Sequence, residues 1–386
     1  MTVVRFLTAG ESHGQCLTAI IEGLPAGLIL DIDRINEEMA RRQQGYGRGG
    51  RMQIEKDKVE ILSGVRFGMT LGSPVTLAIT NRDWENWTER MAVSGPPRGI
   101  PVTAPRPGHA DLTGVLKYDR EDVRDILERA SARETAARVA VGAVAKQLLA
   151  AIGSQVTSHV VNIGGVGIQN TRPDFASIAK RREKSVVGCI DAKAEQDMKA
   201  AIDAAKEQGD SLGGTIEVLA DAVIPGLGSH VHWDRRLDTR LAAAMMSIPA
   251  IKGVEFGAGF AYAALPGSKA HDEIYHDPGS GYCRSTNLAG GIEGGMSNGE
   301  TIVIRAVMKP IPTLMKPLQS VDIANHQPIS ASTERSDVCA VPAAAVVGEA
   351  MTAIVLGQAL LEKFSSDCMT DLLAAIEQYQ NRLSQA

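Results

Sequence analysis

Residues 128–153, ERASARETAARVAVGAVAKQLLAAIG, contain the segment that decides the fold. Residues 122–152 have the composition of a long helix, and Gly153 is a typical residue to end one. Alanine and glycine leave little side chain on the surface of a helix, and a helix that is apolar all round is usually buried. We therefore predict a buried helix that its neighbours approach closely.

A short motif before this helix has a weak echo near the end of the chain. ERAS at residues 128–131 precedes the alanine-rich helix, and ERSD at residues 334–337 precedes a second apolar helix, predicted for residues 342–364. We therefore expect an internal pseudo-two-fold relation in the fold.

The remaining pattern indicates strands and helices in irregular order. Strands are predicted at residues 3–8, 59–80, 156–166, 215–224 and 301–308, and further helices at residues 31–44, 194–208, 237–248 and 369–383. Residues 81–107 contain five prolines and are predicted to be a long ordered loop. Because strands and helices do not alternate regularly, we expect an α+β fold and not a doubly wound sheet. No repeat or low-complexity linker divides the chain.

The composition is that of a soluble globular protein. The 386 residues are 44% apolar and 22% charged, with a net charge of −5, so neither nucleic acid nor a membrane is an expected partner. No run of about 18 apolar residues predicts a membrane span, and the first residues do not resemble a signal peptide. The five cysteines include no CxxC pair, so neither a disulfide framework nor a metal site is predicted. We expect a cytoplasmic protein.

Two segments depart from the acidic average, because they contain arginines but no acidic residue. They span residues 40–54 and 95–110, and their basic residues are Arg41, Arg42, Arg48, Arg51, Arg98, Arg106 and His109. This distribution indicates binding of a small, highly charged anion. The alternative is a pair of solvated basic loops.

The first of these segments contains GYGRGG at residues 45–50, which matches the pattern GxGxxG of dinucleotide-binding loops. The context does not fit, since the motif follows a predicted helix and no βαβ unit surrounds it. Glycines let the backbone approach a ligand, and the neighbouring arginines supply charge. An anion-binding loop is therefore the preferred interpretation.

Two histidines lie in loops that could present them to a ligand. His13 stands between Ser12 and Gly14 after a predicted strand, and His109 follows Gly108. An imidazole in such a loop can exchange a proton near neutral pH, although a single histidine can equally be structural. Arg129 and Arg133 are four residues apart, which would place both on one helical face, as ligand-binding groups or as part of a salt-bridge ladder.

Eight blocks, taken together, resemble the chorismate synthase family. In chain order they are FLTAGESHG (residues 6–14), RRQQGYGRGGRM (41–52), PRPGHADL (105–112), ERASARETAARVAVGAVAK (128–146), SIPAIKGVEFG (247–257), GGIEGGMSNG (290–299), MKPIPT (308–313) and ERSDVCAVPAA (334–344). The blocks extend over essentially the whole chain, so their order and spacing are more specific than any one motif.

The resemblance implies a fold and a reaction. The expected fold is a single large domain, residues 1–386, in which helices lie between strand layers as a β-α-β sandwich, assembled as a homotetramer. The expected reaction removes the C6 hydrogen and the 3-phosphate of 5-enolpyruvylshikimate 3-phosphate in a 1,4-anti elimination that gives chorismate, on the shikimate pathway to aromatic amino acids. Reduced FMN takes part without net redox change, and NADPH is the expected ultimate reductant.

The resemblance also implies functional residues, by position in the matching blocks. His13 matches the histidine that protonates the departing phosphate, His109 a histidine near the flavin, and Asp337 an aspartate that acts with the flavin in removing the C6 proton. The expected substrate contacts, of which Arg42 and Arg48 are also expected to contact NADPH, are Ser12, Arg42, Arg48, Arg106, Arg133 and Arg335. The expected FMN contacts are Arg129, Ala130, Ser131, Ala250, Gly294, Lys309, Pro310, Ile311, Pro312, Thr313 and Arg335.

Two other functions fit part of the pattern. A flavin- or nucleotide-binding protein without catalysis would explain the glycines and arginines, but it would not need three titratable groups in separate loops. An FMN oxidoreductase would change the redox state of the flavin during turnover. Some members of the family also reduce flavin themselves, generally in longer chains. Since no insertion is visible here, we expect a monofunctional enzyme that depends on an external flavin reductase.

Overall fold

The computed structural model describes residues 4–49, 56–168, 174–278, 281–333 and 336–385. Its helices are α1 Ile32–Gln43, α2 Asp111–Tyr118, α3 Arg124–Ala130, α4 Thr135–Ala150, α5 Phe175–Arg182, α6 Ala192–Glu207, α7 Leu237–Met246, α8 Gly267–Ala270, α9 Val341–Phe364 and α10 Met369–Leu383. Its strands are β1 Arg5–Ala9, β2 Cys16–Glu22, β3 Glu60–Ser63, β4 Val65–Arg66, β5 Met69–Thr70, β6 Val75–Thr80, β7 Gln155–Ile163, β8 Val166–Gly167, β9 Gly214–Asp221, β10 Ile251–Phe256, β11 Ile274–Asp277, β12 Gly281–Arg284, β13 Ile292–Glu293, β14 Met296–Ser297, β15 Ile302–Met308, β16 Gln319–Val321 and β17 Pro328–Ser330.

Two antiparallel sheets form the outer layers. The first has the strand order β1-β2-β6-β3 and the second the order β10-β15-β9-β7-β8. Every strand pair within these two sheets is antiparallel. On β6 the residues that face the core, Val75, Leu77 and Ile79, are at most 1% exposed, as expected for a sheet with one buried face. The arrangement agrees with the predicted α+β class.

Helices fill the space between the two sheets. Helix α4 packs on β2 and β6 of the first sheet, and α9 packs on β7 and β9 of the second sheet. The two helices also pack against each other, with α1 beside both and α7 beside α9. One cluster of buried apolar side chains includes residues from both sheets and from these helices. This is the predicted order of layers, a β-α-β sandwich.

Helices α4 and α9 lie in unusually close contact and run parallel. A Cβ atom built on Gly142 would lie 2.3 Å from Cβ of Ala350, and further along both helices Gly357 lies against Leu148. Since both contacts advance in the same chain direction, the N-terminal ends of the two helices lie at the same end of the sandwich. These are the helices that follow the two echoed motifs, but the pseudo-two-fold relation itself stays a prediction.

A buried carboxylate joins α9 to four other elements, one of which is α5 through an ion pair with Arg182 at 3.2 Å. Glu349 is fully buried and accepts hydrogen bonds from Arg41 Nη2 at 2.7 Å, Lys146 Nζ at 2.7 Å and Ser158 Oγ at 2.6 Å. Burial alone would raise the pKa of Glu349, but Lys146 and Arg41 hold it below its usual value. The fully buried carboxylate would be expensive to bury without its cationic partners, so the cluster holds α1, α4, α5, α9 and β7 in one arrangement.

The predicted helix over residues 122–152 is wrong in one respect, because the structure divides it into α3 and α4. Ser131 is extended, and its Oγ accepts a hydrogen bond from the backbone N–H of Arg133, which begins a short 3₁₀ turn. A serine side chain competes in this way for backbone donors and interrupts a helix. Consequently Arg129 and Arg133 do not share a face: Arg129 is exposed and Arg133 is buried.

Helix α9 is more apolar than the sequence analysis predicted. No apolar run long enough to span a membrane was expected, yet α9 has 24 residues and is long and apolar enough by composition. Of the most apolar 18 residues of α9, 94% are buried inside the protein. The apolar surface of α9 is therefore explained by contacts with α4, α7 and the second sheet.

The contact between α4 and α9 predicts opposite effects of the same substitution at two glycines. Gly142→Ala should lower the free energy of unfolding by roughly 1–3 kcal/mol, because the added methyl group overlaps Ala350 and the helices must separate. Gly357→Ala is the matched control, since its new Cβ would lie 3.6 Å from the nearest atom. It should be neutral or stabilise by up to about 1 kcal/mol through helix propensity. Urea denaturation measures both, and a Gly142→Ala protein as stable as its parent would contradict the tight contact.

Candidate active site

A cavity of about 430 Å³ lies at the N-terminal ends of α4 and α9. Its lining comes from the loops after β1, α1, α7 and β15, from residues 106–110, and from the segments that lead into α4 and α9. Sequence-distant loops therefore meet at one place because the two helices point the same way.

Most of the predicted site residues line this cavity. They are Ser12, His13, Arg42, Arg48, Arg106, His109, Ala130, Ser131, Arg133, Ala250, Lys309, Ile311, Pro312, Thr313 and Asp337. Arg129, Gly294 and Pro310 are not among the lining residues of the described chain, and Arg335 lies outside the described residues. The guanidinium of Arg129 instead donates to the carbonyl oxygens of Gly10 and Thr8, so it holds the loop that carries His13.

Among the described residues, Asp57 and Asn81 hold the buried guanidinium of Arg133. Nη1 lies 2.6 Å from both oxygens of Asp57, while Nε and Nη2 donate to Oδ1 of Asn81 at 3.0 and 2.8 Å. The amide of Asn81 in turn donates to the carbonyl oxygens of Gly14 and Glu11. Asn81 therefore joins the histidine loop to the arginine cluster.

Arg42 lies beside Arg133 and is only 3% exposed. Its Nη1 lies 3.8 Å from Asp57 and has no hydrogen-bond partner among the described residues. Burial, together with the neighbouring guanidiniums of Arg133 and Arg48, lowers the pKa of Arg42 to about 10. A buried cation without a full set of acceptors is costly, so this part of the cavity favours an anion.

Arg48 and Asp337 form an ion pair on the cavity surface. Arg48 Nη1 lies 2.7 Å from Oδ2 of Asp337, and the backbone N–H of Gly49 donates to Oδ1 at 2.6 Å. Asp337 does not cap the following helix, because the N-cap of α9 is Ala340 and no described side chain caps it. Residues 45–49 of the glycine-rich motif thus form a loop that holds Asp337, as an anion-binding loop would, and no parallel βαβ unit accompanies it among the described residues.

His13 is held by a buried carboxylate and a stacked ring. Its Nδ1 lies 3.0 Å from both oxygens of Glu128, and its backbone N–H donates to the same carboxylate at 2.8 Å. The ring stacks on Trp87 with centroids 3.9 Å apart. Arg124 Nη1 donates to Glu128 at 2.6 Å. Burial would raise the pKa of Glu128, but His13 and Arg124 hold it below its usual value.

His109 is held in the same manner by Asp111, which is fully buried. Its Nδ1 is hydrogen-bonded to Oδ1 of Asp111, whose Oδ2 accepts from Nε of Arg106 at 2.8 Å. Arg106 Nη1 also donates to Oγ1 of Thr313 at 3.0 Å. Burial would raise the pKa of Asp111, but His109 and Arg106 hold it well below its usual range.

One wall of the cavity is apolar and contains a strained backbone position. Side chains of Ile248, Met308, Ile311 and Val347 line it. Ala250 has a φ of 69°, a left-handed conformation that costs an alanine about 1 kcal/mol or more and is found most often at ligand sites. Its carbonyl oxygen accepts a hydrogen bond from the backbone N–H of Lys309 at 2.9 Å. This hydrogen bond connects the strained residue to a second predicted FMN contact.

Sequence reasoning missed the residues that hold the others in place. They are Asp57, Asn81, Trp87, Asp111 and Glu128, and all of them contact a predicted site residue. Asp111 and Glu128 stood inside blocks already singled out, two residues after His109 and one before Arg129. For Asp57 and Asn81 the sequence contained no local signal, because their partner Arg133 lies 76 and 52 residues away.

Comparison with known proteins agrees with this arrangement. A family model described as chorismate synthase matches residues 4–361. The chain is 60% identical over 381 residues to the chorismate synthase of Moorella thermoacetica, covering 98% of this chain and 99% of that protein. It is 57% identical over 390 residues to that of Pelobacter propionicus, covering 99% of each. A crystal structure of a chorismate synthase superimposes with a TM-score of 0.82 at 46% identity and covers both chains completely. The chain belongs to the chorismate synthase family.

Proposed function

We propose that this enzyme eliminates phosphate from 5-enolpyruvylshikimate 3-phosphate to give chorismate, with reduced FMN as cofactor and without net redox change. One observation carries the proposal: His13, His109 and Asp337 converge on a single cavity, and the other charged residues that line it in the described part of the chain are all cations, Arg42, Arg48, Arg106, Arg133 and Lys309.

The charge of the cavity suits the proposed substrate. That molecule has one phosphate and two carboxylates, and the lining residues that the structure describes provide four guanidiniums and one ammonium against a single carboxylate. Guanidiniums match the geometry of phosphate and carboxylate oxygens. The N-terminal ends of α4 and α9 add partial positive charge at the same place.

The proton-transfer roles follow from where the titratable groups lie. His13 is the proposed donor to the departing phosphate, since its ring lines the cavity near the arginine cluster. Asp337 is the proposed acceptor of the proton lost from C6. Its carboxylate also lines the cavity, and in this state it is paired with Arg48. Two groups with opposite roles are thereby placed in separate loops of one site.

The cavity also has the features that FMN would need. The apolar wall of Ile248, Met308, Ile311 and Val347 suits a planar ring system, while Ser131 and Lys309 provide polar contacts next to it. A reduced flavin bound there would supply electron density that assists loss of phosphate and is afterwards returned. His109, which lines the cavity together with Ile311 and Pro312, is the proposed proton-exchanging group on the flavin side.

The proposal also covers the location of the enzyme, its oligomeric state and its source of reduced flavin. We infer a cytoplasmic homotetramer that receives reduced flavin from a separate reductase, with NADPH as the ultimate reductant. The support is the family relation and the absence of an insertion between the matching blocks.

Turnover tests the proposal directly. Under strict anaerobiosis with chemically reduced FMN, the protein should convert 5-enolpyruvylshikimate 3-phosphate to chorismate and phosphate, and with oxidised FMN it should form neither. The flavin absorbance after turnover should still be that of the reduced form. Net oxidation of the flavin would indicate an FMN oxidoreductase, and flavin binding without product would indicate a binding protein.

Two adjacent arginines should respond in opposite ways to the same substitution. Arg42→Met should raise the stability of the ligand-free protein by roughly 1 kcal/mol or more, because the fold lowers the pKa of Arg42 and therefore disfavours its charge. It should weaken substrate binding about 10- to 100-fold, since a hydrogen bond to a charged group contributes roughly 1.5–3 kcal/mol.

Arg41→Met is the matched control for this prediction. Glu349 and Glu38 raise the pKa of Arg41 despite its burial, so the fold favours that charge. The substitution should lower stability by roughly 1–3 kcal/mol and leave substrate affinity unchanged. Urea denaturation without ligand and substrate titrations measure both effects, and equal behaviour of the two variants would contradict the assignment of Arg42.

Asp337→Asn should retain ligands but lose turnover. An asparagine can still accept from the backbone N–H of Gly49, but it cannot take up a proton, so the rate should fall by about 10²–10⁴-fold. Substrate affinity should not decrease, because Arg48 loses the carboxylate that competes with the ligand. Single-turnover decay of substrate with reduced FMN, together with binding titrations, measures this. A rate near that of the parent would assign Asp337 to the structure of the loop.

A further inference from the structure

Each histidine of the cavity is anchored through the same ring atom. Nδ1 of His13 contacts Glu128, which is 3% exposed, and Nδ1 of His109 contacts Asp111, which is fully buried. Among the described residues, neither ring has a hydrogen-bond partner on Nε2. Since both rings line the cavity, Nε2 is the atom that remains for a ligand.

The chemistry of a carboxylate decides where the ring proton lies. Contacts with His13 and Arg124 hold the pKa of Glu128 below its usual value, so the group is ionised and can only accept hydrogen bonds. Nδ1 of His13 must therefore bear a proton in the neutral ring as well as in the charged ring. Proton exchange with the cavity is then confined to Nε2, and the ring does not lose its anchor when it occurs.

The remaining contacts fix the position of the ring. The carboxylate of Glu128 also accepts from the backbone N–H of His13, so it holds the loop and the ring together. Trp87 stacks on the imidazole ring at an interplanar angle of 24°. The guanidinium of Arg124, which also donates to Glu128, lies 5.0 Å from the centroid of the Trp87 ring. Both the tautomer and the plane of the imidazole are therefore set before a ligand arrives.

We propose that Glu128 is the positioning residue of His13: it keeps the ring proton on Nδ1 and presents Nε2 to the cavity as the atom that gives a proton to the departing phosphate. The second clause rests on the proposed function, whereas the first rests only on the geometry of the pair. Glu128 itself does not line the cavity, so it acts through His13 and not on the substrate.

A second carboxylate–histidine pair elsewhere in the molecule provides a matched control. Glu217 on β9 lies 3.0 Å from Nε2 of His159 and accepts from Arg305 at 2.6 Å. Like Glu128, it is buried, contacts one histidine and one arginine, and has a pKa held below its usual value by them. It does not line the cavity, and it contacts none of the predicted site residues that the structure describes. Glu217 therefore has the same kind of partners as Glu128 but lies away from the cavity.

The experiment compares Glu128→Gln with Glu217→Gln. A glutamine amide both donates and accepts, so it no longer dictates which nitrogen of the imidazole bears the proton. With reduced FMN under anaerobiosis, we expect kcat of Glu128→Gln to fall by about 10- to 100-fold, part of what a general acid contributes, and KM to change less than about threefold. Glu217→Gln should leave both constants unchanged.

Nitrogen NMR of ¹⁵N-histidine-labelled protein shows which ring nitrogen of His13 bears the proton. The substitution would leave this property unchanged if Glu128 had only a structural role. The His13 signals are identified by their loss in His13→Asn, at a pH at which the ring is neutral. The parent and Glu217→Gln should show a protonated Nδ1 and an unprotonated Nε2, and Glu128→Gln should show a mixture of tautomers. A glutamate-to-aspartate change, Glu128→Asp, keeps an acceptor-only group and should retain the Nδ1 proton with partial recovery of kcat.

The outcomes separate the two parts of the inference. If the parent turns over no substrate, the proposed function is wrong, but the NMR comparison still decides whether Glu128 sets the tautomer. A parent spectrum with the proton on Nε2 would overturn the proposal even if Glu128→Gln does not fold. An altered tautomer with an unchanged kcat would overturn the role in proton donation.

Discussion

The architecture depends on the contact between Gly142 of α4 and Ala350 of α9. There is no room for a side chain at Gly142, so the two helices lie backbone to backbone and in parallel. Each helix carries one sheet on its outer side, and the sandwich is therefore built around this pair. Because the helices are parallel, both N-terminal ends reach the same end of the molecule, which is where the cavity lies. The alanine-rich sequence that determines the fold also determines the place of the site.

The charges around the cavity are arranged in two layers. Arg42, Arg106 and Arg133 face the cavity, whereas the carboxylates of Asp57 and Asp111 lie behind them. The carboxylates hold the guanidiniums in place without occupying the side that a ligand would use. In a site with little water, groups oriented in advance interact strongly with charge that develops on a ligand. Repulsion among these cations is offset by the carboxylates behind them when the protein folds. The offset is incomplete at Arg42, because burial and the neighbouring guanidiniums lower its pKa.

Periodicity and capping residues were sufficient to predict the long helices and several strands, but not β2 or β10 of the two main sheets. The helix after Asp31 begins where its side chain accepts from two backbone N–H groups, and α10 has the predicted bounds. The break between α3 and α4 could not be predicted, since serine is tolerated within helices and only its hydrogen bond to Arg133 reveals the interruption. The family resemblance located the groups that face the cavity, because these are in recognisable blocks. It did not locate their supports, such as Asp57 and Asn81, because such contacts depend on which distant segments the fold brings together.

The pair of Arg48 and Asp337 differs from the other ion pairs of the site, since both of its members line the cavity. The other cavity arginines are paired from behind and can contact an anion without giving up a partner. Arg48 cannot do so, because its Nη1 already lies against Oδ2 of Asp337. Under the proposed function, an anionic substrate therefore competes with Asp337 for Arg48. Release of Arg48 would leave Oδ2 of Asp337 free to face the substrate, and the backbone N–H of Gly49 would still hold the group in position through Oδ1. Oδ2 of Asp337 would thus become available as the proposed proton acceptor only when the substrate is present, and the glycine-rich loop would link anion binding to proton removal.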